Sequence, residues 1–137
     1  MRRGRRTASS PFSAFPSEEA VSQKTFEVVY PQHLNHQGNL FGGEALRMMD
    51  TAAFVAATRR ARRTMVTVAV ERVAYEAPVH HGEIVEIEAI VADTGRTSVT
   101  IDVEMHAEVL LTGSRRRCGT GRFVFAAVDE RGTSVPL

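Results

Sequence analysis

The stretch NHQGNLFGGEALRMMDTAAF, residues 35–54, decides the architecture of this 137-residue chain. A paired glycine, Gly42-Gly43, opens a segment that runs to about Arg63 with no Pro and no further Gly. Ala, Leu, Met and Arg dominate it, and these are strong helix formers, so the composition predicts a helix of about five turns over residues 43–63. At about 100° per residue, Glu44, Arg47, Thr51, Thr58 and Arg62 share one polar stripe. The rest of the helix is largely apolar, so it must be covered on more than one side. Asp50 stands outside the polar stripe, between Gly43, Leu46, Phe54, Ala57 and Ala61 in angular terms.

Outward from the helix, the pattern changes to period two. Thr25 to Tyr30 alternates and reads as a short strand ended by Pro31, followed by a loop over residues 31–42 rich in Asn, Gln, His and Gly. Four longer strand-like stretches follow: 65–75, 83–93 after the His81-Gly82 turn, 97–111, and 117–128 after Gly113-Ser114. The first shifts phase near Glu71 and Arg72, which predicts a bulge. The third carries Val99, Ile101, Val103, Met105, Ala107 and Val109 on one face. A long helix with five strands and tight turns gives an α+β layout of the hotdog type, a central helix wrapped by a curved antiparallel sheet of five to six strands. The last long strands are expected to leave open edges, which calls for a partner strand and hence a dimer.

Composition bounds the rest. One domain is expected over residues 25–137, preceded by a flexible Arg/Ser/Pro-rich extension over 1–24 that lacks the apolar core of a secretory signal. No apolar run approaches the length of a membrane-spanning helix, and a net charge of +1 argues against a nucleic-acid binder. The single cysteine, Cys118, excludes an internal disulfide and reads as a small hydrophobe compatible with a reducing, cytoplasmic compartment. The clusters Arg2–Arg6, Arg59–Arg63 and Arg115–Arg117 read first as solvated faces, with phosphate contact as the alternative.

An unpaired carboxylate on an apolar helix face costs several kcal/mol unless it is paired, solvated in a cleft or used. Two readings stand: Asp50 pairs with an Arg from a neighbouring element, or it is a working acid or base. The paired glycines favour the second, because an open helix start offers free N–H groups to developing negative charge. Gly43 and Asp50 are about 10 Å apart along the helix, too far to share one carbon. Two-fold symmetry repairs this if Asp50 of one chain serves the helix start of the other.

Asn35-x-x-Gly38-x-x-x-Gly42-Gly43 followed by Asp50 resembles the signature of hotdog-fold acyl-CoA thioesterases, the bacterial acyl-CoA hydrolase group related to the cytosolic long-chain type. VTVAVERVAYEAPVHHGE, TGRTSVTIDVEM and FVFAAVDERG are similar to three further family stretches in the same order, so the resemblance runs from about residue 25 to the C-terminus. It implies hydrolysis of acyl-CoA at the interface of a homodimer, with trimers of dimers common. Asn35 and Asp50 would act together from opposite protomers, as base or nucleophile in the case of Asp50. Gly42 and Gly43 would receive the thioester carbonyl, and Gly95, Thr97 and Ser98 would lie near the CoA moiety. No metal or organic cofactor is implied, since CoA is part of the substrate, and neither nucleic acid nor membrane insertion is. Glu83 stands where the family has Asp, and the Arg-rich head has no counterpart.

The remaining candidates are weaker. His33 and His36 read as solvated or packed loop residues, and the adjacent His80 and His81 point apart, a poor metal pair. A hotdog dehydratase would need a His paired with the helix acid, and none follows Asp50 on its helix. A DNA-binding hotdog repressor would need a further domain. A non-catalytic acyl-CoA-binding protein stays open as the alternative from a different class.

Overall fold

The computed structural model describes residues 22–137. The elements in order are β1 (Ser22–Val28), a short 3-10 turn (Pro31–His33), α1 (Gly42–Ala61), β2 (Met65–Tyr75), β3 (Ile84–Thr94), β4 (Ser98–Glu108) and β5 (Arg115–Ala127). The expected extension over 1–24 lies outside the described residues except for 22–24, which already belong to β1.

The helix ends where Arg62 turns into the left-handed region, φ 54°, with its N–H bonded to the Thr58 carbonyl at 2.7 Å. Glu44 in the first turn and Arg59 and Arg60 in the last complement the helix dipole. Its buried face is Ala45, Met48, Met49, Ala52, Ala53, Ala56 and Ala57. Five of these seven are Ala, and short side chains let the helix lie close against β3 and β4. The opposite side, where the sequence predicts cover on more than one side, is partly open among the described residues. Phe54 is 44% exposed there, and Asp50 and Leu46 are only half-buried. Thr58, assigned to the polar stripe, instead buries a hydroxyl that has no hydrogen-bond partner among the described residues.

The five strands form one antiparallel sheet in the order β1-β3-β4-β5-β2. Val99, Ile101, Val103, Met105 and Ala107 of β4 are all buried against the helix with Phe123 and Phe125 of β5. Val109, expected on that face, falls beyond the strand end and is half-buried. The open edges are β1 and β2, not the last long strands. Helix α1 carries the chain from one edge to the other, so β5 ends up inside, between β4 and β2. The bulge near Glu71 and Arg72 is present, with a register shift between Glu71 and Ala74 and φ 51° at Arg72. A second shift, between Thr67 and Ala69, leaves Val68 as the extra residue. Two bulges on one edge strand increase its local twist. Along β2, Val66, Val68 and Val70 are 41%, 57% and 46% exposed.

Candidate active site

The loop that leads into α1 is organised by Asn35. Its Oδ1 accepts the backbone N–H groups of Gln37 (2.9 Å) and Asn39 (3.1 Å), while its own N–H donates to the Asn39 carbonyl at 2.7 Å. Gly38 closes the turn at φ 81°, a conformation that suits only Gly without strain. With Oδ1 spent on the loop, the Asn35 amide Nδ2 makes no hydrogen bond among the described residues and keeps two donors for a ligand.

A second loop braces the first. The Leu40 N–H donates to the Val79 carbonyl at 2.7 Å, and a ring nitrogen of His80 lies 2.9 Å from Asn39 Oδ1. This second loop is held by Arg116, which grips Glu83 with two hydrogen bonds (2.7 and 3.0 Å) and the Pro78 carbonyl with a third (2.6 Å). The Arg116 guanidinium keeps the Glu83 carboxyl below the usual carboxylate range, against the opposing effect of burial.

The helix start is open. Phe41 occupies the N-cap position with no side-chain cap, and the first helical bond is Ala45 N–H to the Phe41 carbonyl, 3.0 Å. The Phe41 ring explains Gly43, where a Cβ would sit 2.9 Å from a ring carbon. Tyr75 lies across Gly42, and its hydroxyl donates to the Gly42 carbonyl at 2.7 Å. Burial pushes the Tyr75 phenol above its ordinary value. A cleft of about 330 Å³ opens beside this helix start, lined by Asn35, Gly42, Ala45, Tyr75, Met105 and Cys118 among others. Cys118 at its base is buried, donates to the Met105 carbonyl and has its thiol pushed up to about 11 by burial. A thiol so placed is an inert wall residue.

Asp50 lies outside this cleft, about 10 Å along the helix from Gly43. It makes no ion pair among the described residues, so no Arg of those residues is its partner. Its partner is Thr67 on β2, whose hydroxyl donates to Asp50 Oδ1 at 3.0 Å. Gly95 and Thr97 lie in the β3–β4 turn and Ser98 opens β4; the turn is tied to the end of β5 by the Ala127 N–H to Thr97 carbonyl bond, 2.9 Å. That turn sits beside the C-terminal end of the helix, where the Val128 N–H meets the Thr64 carbonyl, whereas Tyr75 and the cleft sit at the other end of β2. One chain therefore brings together Asn35, Gly42 and Gly43, and separates them from Asp50, Gly95, Thr97 and Ser98. Within the Arg triplet, Arg115, Arg116 and Arg117 pair with Glu86, Glu83 and Glu76 at 3.0, 2.7 and 2.8 Å. No cluster of three metal-ligating side chains exists among the described residues.

Residues 37–114, from the loop of Asn39 through β4, match the family model described as the thioesterase superfamily. The chain belongs to the thioesterase superfamily. It is 32% identical over 109 residues to the uncharacterized acyl-CoA thioester hydrolase YkhA of Bacillus subtilis, covering 80% of this chain but 63% of that protein. It is 31% identical over 110 residues to the acyl-CoA thioester hydrolase YciA of Salmonella typhimurium, covering 78% of this chain and 83% of that one. A crystal structure of an apo-hexameric acyl-CoA thioesterase superposes with a TM-score of 0.81 at 33% identity, over 84% of this chain and 74% of that one. The fold is thus the hotdog arrangement of that thioesterase. In this superfamily member, two polar residues beside the candidate site escaped the sequence reading, Thr67 and Tyr75. Both sit on β2 and meet the helix only through tertiary packing, and the alternation of VTVAV gave Thr67 no distinction from its neighbours.

Proposed function

We propose that this chain hydrolyses acyl-CoA thioesters as a homodimer, or a trimer of dimers, in which each site takes Asn35 and the helix start from one protomer and Asp50 from the other. The observation that carries the reading is the uncapped N-terminus of α1 at the head of a cleft, with Asn35 beside it and, two turns away, a half-buried carboxylate that has no cation partner among the described residues. A thioester carbonyl placed at Gly42-Gly43 puts its oxygen against the Gly43 N–H and the positive end of the helix dipole. Asp50 takes a proton from water, the water oxygen bonds to the carbonyl carbon, and the charge moves to the carbonyl oxygen held at Gly43. Collapse of this intermediate breaks the C–S bond, and the CoA thiolate recovers the proton from Asp50, giving a free acid and CoA. The Asn35 amide holds the carbonyl or the water. Thr67 fixes one oxygen of Asp50 so that the other faces the water.

The chemistry uses carboxylate, amide and backbone groups, and coenzyme A enters as part of the substrate rather than as a cofactor. Gly95, Thr97 and Ser98, at the opposite end of β2 from the cleft, reach CoA only if a two-fold partner brings them there. We place the activity in the cytoplasm, the reducing compartment that suits the free thiol of Cys118. The test is thiol release from a panel of acyl-CoA esters. Wild type should release CoA, and Asp50→Ala should not. Binding of acyl-CoA without release by the wild type would replace this reading with that of a non-catalytic acyl-CoA-binding protein.

A further inference from the structure

We infer that Tyr75 is a positioning residue for the oxyanion site: its hydroxyl anchors and polarises the peptide that links Gly42 to Gly43. The inference rests on the thioesterase reading above and deepens it. The carbonyl that accepts the Tyr75 hydroxyl at 2.7 Å belongs to the same planar peptide unit as the Gly43 N–H, the donor assigned to the thioester oxygen. A hydrogen bond to the oxygen of an amide draws electron density from its nitrogen, so the N–H on the opposite side becomes a stronger donor. The same bond limits rotation of the peptide. It is flanked by two glycines, which tolerate alternative backbone angles, in a first turn that has no side-chain cap.

The geometry around the ring supports a built arrangement. Tyr75 is the last residue of β2, paired in register with Gly119, and the following residue is tied by the Glu76 N–H to Cys118 carbonyl bond, 2.9 Å. A Cβ on Gly42 would touch the Tyr75 ring at 3.5 Å, so the ring packs flush on bare backbone. A Cβ on Gly43 would meet the Phe41 ring at 2.9 Å, so each glycine of the peptide has an aromatic ring beside it, and of the two rings Tyr75 alone carries a hydroxyl to bond the peptide.

The test replaces Tyr75 by Phe, which keeps the ring, and by 3-fluorotyrosine, whose more acidic phenol is a stronger donor. Two readouts are needed. The backbone amide resonance of Gly43 should shift in Tyr75→Phe and shift the opposite way with fluorotyrosine, without any substrate present. With acyl-CoA, kcat should fall about 3- to 10-fold in Tyr75→Phe, the scale of one neutral hydrogen bond, with KM unchanged, and should rise with fluorotyrosine. A Gly43 resonance that ignores both replacements overturns the inference whether or not the protein turns over acyl-CoA. A kcat independent of both replacements also overturns it. If Tyr75→Phe fails to fold, the fluorotyrosine protein, with ring and hydroxyl retained, decides the matter alone. Absence of wild-type turnover with a responsive Gly43 resonance would instead sink the thioesterase reading and leave the anchored peptide standing.

Discussion

Asp50 and Thr67 form a pair whose two members are unequally visible from the sequence. A carboxylate among Leu46, Phe54, Ala57 and Ala61 breaks the helix pattern and so announces itself. A threonine in an alternating strand does not, because its meaning comes from a 3.0 Å contact across the helix–sheet boundary. Asp50→Asn keeps the shape and still accepts from Thr67, and an amide is easier to bury than a charge, so the fold should survive. Its kcat should fall by roughly 10² or more, the scale of losing a positioned base. Thr67→Val should fall less, by about 10-fold, since it frees the carboxylate to rotate without removing it. Steady-state kinetics beside thermal unfolding checks both. A variant Asp50→Asn that unfolds yet keeps its activity per folded molecule would make Asp50 structural.

At the scale of elements, the brace formed by Arg116, Glu83 and Pro78 fixes the loop against which Leu40 and Asn39 hang, so one ion pair supports the cleft from behind. Arg116→Ala leaves Glu83, whose side chain is 9% exposed, without its cation and should cost about 2 kcal/mol, reduced from the fully buried case because Arg116 is one-third exposed. The folded-state pKa of Glu83 is depressed, so its contribution to stability is present above the ordinary carboxylate pKa and fades as pH falls toward the folded value. Urea unfolding should therefore show a gap between wild type and Arg116→Ala that is widest near about pH 7 and narrows near about pH 3. A gap that does not change with pH would remove Glu83 from the account. The helix, the 65–75 strand and the turn at Gly82 were legible because each rests on local chemistry: helix formers, alternation, and a residue that tolerates φ 86°. The order of strands was not. Which strand lies at an edge depends on the long crossover through α1, and the partners of the Arg triplet depend on strand pairing between distant segments.

For the whole molecule, the separation of Asn35 from Asp50 turns the shared site into a counting problem. Asn35→Ala and Asp50→Ala chains should each be inactive alone. Mixed in equal amounts and allowed to exchange, half of the dimers are mixed and each has one intact site of two, so about a quarter of wild-type activity should return. Verified mixed dimers with no recovered activity would show that each site is built within one chain. The edge strand β2 has a consequence earlier than catalysis. A newly synthesised chain carries Val66, Val68 and Val70 on a strand whose outer edge has no partner among the described residues, with Phe54 exposed on the helix, and such edges recruit other chains indiscriminately. Until a proper neighbour covers it, the nascent protein competes with aggregation and proteolysis, so its soluble yield depends on the pace of translation and on chaperone capacity as much as on the stability of the finished fold.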